Sequence, residues 1–146
     1  SQSFKDIMSI NSVDMFKKVV IENGYEYDSL DDKGLLIYGF NIVRDSIEGN
    51  KSSKWGQYNK NDGEFYFQYN RRSVLGAFFG TEDDTSENPY DIIVKNIKQK
   101  CKYYKIINHN GTDYVTYSCS ESSYKGKIGF VVSEGVGFIR HFPTTK

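Results

Sequence analysis

The chain is poor in the residues that carry most protein chemistry. Its 146 residues include two histidines, two cysteines, two prolines and one tryptophan. A catalytic zinc site needs His, Cys or carboxylate ligands at close spacing, and neither His109 nor His141 has such partners nearby in the sequence. No Gly-x-Ser-x-Gly elbow, P-loop or Gly-x-Gly-x-x-Gly motif occurs. The sequence therefore predicts no metal and no cofactor, and it favours a non-enzymatic role over an enzyme with a dispersed site, which is the third hypothesis.

Excess charge and long apolar runs are also missing. Nineteen basic residues balance nineteen acidic ones, for a formal net charge of zero. Proteins that bind nucleic acids usually carry a basic excess that displaces counterions from phosphate, so we expect no nucleic-acid partner. The longest apolar runs, residues 35–38 and 74–79, are the length of a strand. A bilayer-spanning helix needs about 20 apolar residues, so we expect no membrane insertion.

What the chain does have is aromatic residues, which make up 16% of it. Each aromatic side chain buries roughly 150–250 Å² when it is packed. A handful of them can therefore build the core that the few leucines and alanines do not supply. The length is typical of one domain, and we predict a single domain over residues 1–146.

Two helices are indicated by their caps and by apolar spacing. Ser12 is a good N-cap for a helix over residues 13–23, and Gly24 follows at the position of a left-handed C-terminal residue. The run from Asn88 offers a cap and a proline at the first helical position. Ile93 and Ile97 then recur at helical spacing. The apolar residues Phe4, Ile7 and Met8 also indicate a shorter helical turn at residues 4–8.

The rest of the pattern predicts a mostly antiparallel sheet of about six strands, with both amphipathic helices on one face. Asn110-Gly111 between two β-rich runs is a strong hairpin signal. The runs are residues 35–43, 54–58, 64–69, 104–107, 112–118, 127–132 and 136–142.

The two halves of the chain resemble each other at an offset of 77 residues. Matching pairs at this offset are Asp14 with Asp91, Phe16 with Ile93, Val20 with Ile97, and Gly34 with Gly111. Near an offset of 73, Gly56 meets Gly129. The hypothesis is a tandem αβββ repeat over residues 12–70 and 89–142; the alternative is two helices supported independently on one meander. A helix and meander repeated twice resembles the β-lactamase-inhibitor-protein type of fold, in which the concave face of a sheet grips an enzyme. This resemblance assigns no site residue.

The two cysteines are predicted to lie close together. If Asn110-Gly111 forms a two-residue turn, His109 pairs with Thr112, and Cys119 falls opposite residue 102, one step from Cys101. A disulfide is possible at that separation, and it would favour an oxidising compartment, periplasmic or secreted. The start at Ser1, without Met, is expected of a mature secreted chain and equally of a trimmed one. The alternative is two buried free thiols in a cytoplasmic protein.

Aromatic residues on the uncovered side of the sheet are the best functional lead. If Phe65 and Phe67 face the helices, Tyr66 must face away. Trp55 and Tyr58 lie on opposite faces, so one of them joins Tyr66. Such side chains give large, rigid contact area to a binding site. The candidate partner-binding residues are Trp55, Tyr58, Tyr66, Phe78 and Phe79.

Phe78 and Phe79 lie in residues 71–87, which are predicted to be either a functional loop or a further strand followed by an acidic loop. The first functional hypothesis is a non-enzymatic module that binds another protein, as a secreted or periplasmic inhibitor or immunity protein does. The alternative is a domain that binds a small molecule, lipid or glycan in a pocket between the sheet and the helices.

Overall fold

A computed structural model describes residues 2–70, 88–120 and 124–144 of the chain. Three helices lie in these ranges: α1 (Phe4–Met8), α2 (Val13–Glu22) and α3 (Pro89–Lys100). The strands are β1 (Tyr25–Leu30), β2 (Leu35–Phe40), β3 (Lys54–Asn59), β4 (Phe65–Asn70), β5 (Lys102–His109), β6 (Thr112–Ser118), β7 (Lys127–Ser133) and β8 (Val136–Phe142). The predicted α+β class with a mostly antiparallel sheet is confirmed. The finer prediction of two helices on about six strands was wrong.

The eight strands form one sheet in the order β1-β2-β3-β4-β8-β7-β6-β5. All neighbouring strands in it are antiparallel. Strands β1–β4 form one meander and β5–β8 a second, and the two meet where β4 pairs with β8. Each meander follows a helix in the chain. The tandem repeat stays a prediction, and within it each half would have four strands rather than three.

One match behind the predicted repeat does not survive in the structure. Gly56 lies opposite Phe67, on the side of the sheet where α2 packs. Gly129 lies opposite Thr116 and Arg140, which point to the other side. Residues with equivalent positions in a repeat should share a face, so the offset of 73 was wrong for these strands.

The two longer helices begin where their caps predict. The Ser12 hydroxyl accepts a hydrogen bond from the backbone N–H of Met15. The Asn88 side chain accepts one from the N–H of Tyr90, with Pro89 in the first turn. These bonds satisfy backbone donors that have no partner inside the helix.

The main core lies between the helices and one side of the sheet, and aromatic rings fill much of it. Phe16 of α2 packs against Tyr58 and Phe67, with ring centroids 5.3 and 5.7 Å away. A Cβ on Gly56 would lie 3.3 Å from the Phe16 ring. In α3, the ring of Tyr90 lies over Gly137 in the same manner, 2.5 Å from where a Cβ would be.

The disulfide between Cys101 and Cys119 is present, with the two Cα atoms 4.5 Å apart. His109 pairs with Thr112, as the two-residue turn requires. A β-bulge between Tyr103 and Lys105 then shifts the register by one residue. The sequence predicted Cys119 opposite residue 102. The shift puts it opposite residue 101, which is Cys101 itself. The bridge joins the C-terminal end of α3 to the end of β6.

We expect loss of this bridge to destabilise the chain strongly. The linked residues are 18 apart, and closing a loop of that size stabilises a fold by about 3 kcal/mol on the chain-entropy estimate. The paired variant Cys101→Ala/Cys119→Ala should lose about that much free energy of unfolding, measured by urea denaturation. A reductant should lower the stability of the wild type and leave that of the variant unchanged. Equal stability of the two proteins in oxidising buffer would contradict the prediction.

His141 is a buried titratable side chain in the core, on the helix side of β8. Its ring stacks on Phe65 at 4.8 Å, and its Nδ1 lies 2.7 Å from the Tyr124 hydroxyl. That hydroxyl donates to the carbonyl of Lys127, so Nδ1 of a neutral His141 is the donor to Tyr124. Burial lowers the pKa of His141 from 6.5 to about 4. Protonation is thus disfavoured in the folded state.

This pKa shift predicts loss of stability in mild acid. Between pH 6.5 and about 4 the unfolded chain binds a proton at His141 that the folded chain does not. The shift corresponds to about 3 kcal/mol, present above pH 6.5 and lost as the pH falls to 4. His141→Phe keeps a ring beside Phe65 and removes the titration. Urea denaturation at several pH values should show a shallower acid decline in this variant; parallel curves would refute the assignment.

Candidate binding face

The side of the sheet opposite the helices, called here the open face, carries a second set of aromatic residues. Residues paired across antiparallel strands point to the same side. Phe65, Phe67 and Tyr69 of β4 are buried on the helix side, so Tyr66 and Gln68 between them point to the open face. Trp55 is opposite Gln68 on β3, and Phe138 is opposite it on β8. The described helices all pack on the other side.

Large aromatic side chains on the open face of the described sheet include Trp55, Tyr66, Tyr114, Phe138 and Phe142. Two of them lie over glycines: the Trp55 ring is 2.8 Å from where a Cβ of Gly39 would be, and the Phe142 ring is 2.6 Å from that position on Gly129. The glycines let both rings lie close to the sheet.

Arg140 of β8 lies at the centre of this face between two tyrosines. Its guanidinium carbon is 4.4 Å from the ring centroid of Tyr66 and 5.7 Å from that of Tyr114. Nη1 pairs with the Glu64 carboxylate at 3.1 Å, and Nε donates to the Tyr114 hydroxyl at 3.4 Å. Stacking and pairing together hold the cation in one orientation. Burial raises the pKa of Tyr66, and the nearby Arg140 charge opposes that rise.

His109 borders the same cluster at the β5–β6 turn. Its Nδ1 is 4.0 Å from Oε1 of Glu64, and its ring meets Phe142 and Tyr114 edge-on at 6.1 and 6.4 Å. Burial lowers the pKa of His109; the Arg140 charge lowers it further, and Glu64 opposes both. The His109 ring is therefore uncharged at neutral pH, where it borders the Arg140 cluster.

The structure separates the residues that the sequence proposed. Trp55 and Tyr66 share the open face, whereas Tyr58 is 7% exposed on the helix side, stacked against Phe65. Side chains alternate along a strand, so Tyr58 points away from the side that carries Trp55, Gln57 and Asn59. It is therefore not part of the open face. Phe78, Phe79 and the rest of residues 71–87 lie outside the described residues. The partner-binding role of Trp55 and Tyr66 stays a prediction.

Sequence reasoning missed the centre of the face. Phe138, Arg140 and Phe142 lie on β8, Tyr114 lies on β6 and Glu64 lies just before β4. These positions are distant in sequence and meet only through the β4–β8 pairing and its neighbours. One sequence pattern could have revealed part of it. Side chains alternate along β8, so Phe138, Arg140 and Phe142 share a side if Ile139 and His141 are in the core.

A cleft of about 150 Å³ lies at the junction of β3, β4 and α3, lined by Ser53, Lys54, Tyr69, Asn70, Asn88 and Pro89. Within the described residues, no three His, Cys, Asp or Glu side chains converge as metal ligands would. No helix in those ranges is both long enough and apolar enough to cross a bilayer.

Comparisons with known proteins identify no family for this chain. No protein-family model matches it. Searches of curated proteins and of solved structures found no match either. The resemblance to the β-lactamase-inhibitor-protein type of fold therefore gains no support from solved structures.

Trp55 and Tyr58 lie on opposite faces of β3, so we expect their removal to cost different amounts of unfolding free energy. Tyr58→Ala removes a ring from the core and should cost about 3–5 kcal/mol of unfolding free energy. Trp55→Ala removes a larger ring that is only partly buried, and we expect a cost of about 1 kcal/mol. Urea denaturation followed by far-UV circular dichroism measures both. A larger loss for Trp55→Ala than for Tyr58→Ala would mean that the faces are assigned the wrong way round.

Proposed function

We propose that the chain is a non-enzymatic module that binds another protein through the open face. The supporting observation is the Arg140 guanidinium fixed between Tyr66 and Tyr114, with Trp55 and Phe138 nearby on the same side. Tryptophan, tyrosine and arginine are the residues that most often dominate the binding energy of protein interfaces. Trp55, Tyr66 and Phe138 are partly exposed on this face, whereas the Arg140 side chain is 14% exposed and Tyr114 is 4% exposed.

The fixed positions of these side chains favour tight binding. Glu64 and the tyrosines hold Arg140, and Gly39 provides the surface on which the Trp55 ring lies. Ordering a long side chain on binding costs about 0.5–1.5 kcal/mol. A partner that meets side chains already held in place avoids most of that cost.

The alternative, a small molecule, lipid or glycan bound between the sheet and the helices, has less support. Sites for small ligands usually enclose about 300–1,000 Å³. The cleft beside α3 holds about 150 Å³. The helix side of the central strands is packed with aromatic rings instead.

We further propose that the protein works in an oxidising compartment, periplasmic or extracellular, as an inhibitor or immunity-type protein. The Cys101–Cys119 bridge supports the compartment, because disulfides persist there and are rare in the reducing cytoplasm. The inhibitor role is our choice among protein-binding roles, and its support is the open face, whose aromatic side chains suit a protein partner.

The test is capture of partners from native extract with matched variants. Trp55→Ala and Tyr66→Ala each remove one open-face ring. Tyr103→Ala is the control, because Tyr103 is an exposed aromatic that pairs with Tyr117 on the helix side. We expect wild type and Tyr103→Ala to recover a protein that both open-face variants lose, by quantitative mass spectrometry. With that protein purified, each open-face variant should bind about 30-fold more weakly, as for a 2 kcal/mol hot spot.

Equal recovery by all four proteins would place binding elsewhere on the chain. Circular dichroism of each variant shows that it is folded before the comparison is made. Saturable binding of a small molecule that is unaffected by Trp55→Ala and Tyr66→Ala would favour the alternative function.

A further inference from the structure

The two edge strands of the sheet, β1 and β5, differ in how they are protected. An edge strand is a template for pairing with another strand, and proteins usually block it. At β1 a side chain occupies the edge, because Nη2 of Arg44 donates to the Tyr27 carbonyl at 3.2 Å. Strand β5 is longer and carries three exposed apolar side chains: Tyr103, Tyr104 and Ile106 are 57, 47 and 49% exposed.

The register of the β5–β6 hairpin shows which backbone groups of β5 point outward. Asn110-Gly111 is a two-residue turn, so the flanking pair His109 and Thr112 is hydrogen-bonded. Hydrogen-bonded and non-hydrogen-bonded pairs alternate in an antiparallel ladder. The N–H and C=O groups of Ile106 and Asn108 therefore point away from β6. In the described ranges no side chain bonds to these groups, so they remain open to an added strand.

The surface beside this edge carries positive charge that the fold does not neutralise. Residues 92–112 contain five lysines and no aspartate or glutamate. Nζ of Lys105 and Nζ of Lys127 lie 5.2 and 4.7 Å from the ring centroid of Tyr104. Neither ammonium group pairs with a carboxylate in the part of the chain that the structure describes.

This edge is separate from the aromatic centre of the open face. Four strands lie between β5 and β3, the strand that carries Trp55. Neighbouring strands are about 4.8 Å apart, so β5 is about 24 Å from β3 across the sheet. An inference about β5 therefore goes beyond the proposed function and does not depend on it.

Backbone and charge together define the chemistry that fits β5. Open N–H and C=O groups on a sheet edge are satisfied by an extended polypeptide that adds a strand. Unneutralised lysines favour acidic side chains on that strand. We propose that β5 binds an acidic extended segment of another protein as an added strand, with its carboxylates beside Lys105 and Lys127.

Two other occupants fit the edge less well. A second copy of the chain, paired through its own β5, would bring Lys102 and Lys105 of both copies to one joint, where like charges repel. A nucleic acid would meet the lysines but leave the outward backbone groups of β5 without partners.

The first test measures the contribution of charge. The probe is a synthetic fluorescein-labelled peptide that alternates glutamate with valine, and binding is followed by fluorescence anisotropy. We expect saturable binding that Lys105→Glu/Lys127→Glu weakens about 10-fold, because each exposed charge pair contributes up to about fivefold. The matched control Lys33→Glu/Lys60→Glu makes the same charge change in two distant turns. It should bind as wild type does, because salt at physiological strength screens charges beyond about 8 Å.

The second test measures strand addition itself. Hydrogen exchange followed by NMR should show the N–H groups of Ile106 and Asn108 exchanging rapidly in the free protein and slowly with the peptide. The N–H of Ile107 faces β6 and should be protected in both states. The same peptide N-methylated at every residue keeps its charge and loses its donors, so it should bind at least 10-fold more weakly. Ile106→Pro removes an outward donor at a position where an edge strand tolerates proline, and it should also weaken binding.

Several results would overturn the inference. They are no saturable binding below millimolar peptide, equal binding of a peptide with lysine in place of glutamate, and binding without protection of Ile106 and Asn108. Tighter binding of single-stranded DNA than of the acidic peptide would identify a nucleic-acid ligand instead. A dimer in analytical ultracentrifugation that Ile106→Pro abolishes would identify a second copy as the occupant. Trp55→Ala should bind the peptide as wild type does, so failure of the open-face function and failure of this inference are distinguishable.

Discussion

The architecture depends on strict alternation along β4, the strand where the two meanders meet. Phe65, Phe67 and Tyr69 are buried under the helices, which commits Tyr66 and Gln68 to the other side. Because β4 pairs with both β3 and β8, the same alternation is imposed on its neighbours. A shift of one residue in the β4–β8 pairing would turn Arg140 toward the helix side and Ile139 toward the open face. The core and the candidate binding face are therefore two results of one register.

The sequence predicted what depends on local chemistry. Ser12 and Asn88 mark helix starts because a side-chain oxygen there satisfies N–H groups of the first turn. Asn110-Gly111 marks its hairpin because both residues adopt positive φ, 50° and 86°. That turn brought Cys119 to within one residue of Cys101, and the alternation of β4 placed Tyr66 on the open face. These features need only neighbours in the chain.

Features that depend on distant pairing could not be predicted in the same way. Strand β1 was missed because Glu26 and Asp28 weaken its β-pattern, and it is an edge strand with one neighbour. The bulge at Tyr104 has no sequence signal, yet it decides which residue faces Cys119. Arg140 and Glu64 are 76 residues apart, so their pairing required the β4–β8 register. Tyr58 was misplaced because the limits of β3 alone do not say which of its aromatic residues is core.

The same structural device appears on both sides of the sheet with different consequences. On the helix side, Gly56 makes room for the rings of Phe67 and Phe16, Gly137 makes room for the ring of Tyr90, and all three rings are buried.

On the open face, Gly39 and Gly129 make room for Trp55 and Phe142, and these two rings stay partly exposed. A ring that packs closely against the sheet loses little freedom when a partner covers it, because its position is already set. On the helix side, the packing of these rings stabilises the fold itself. On the open face the rings remain available to a partner, which is why we propose binding on that side of the sheet.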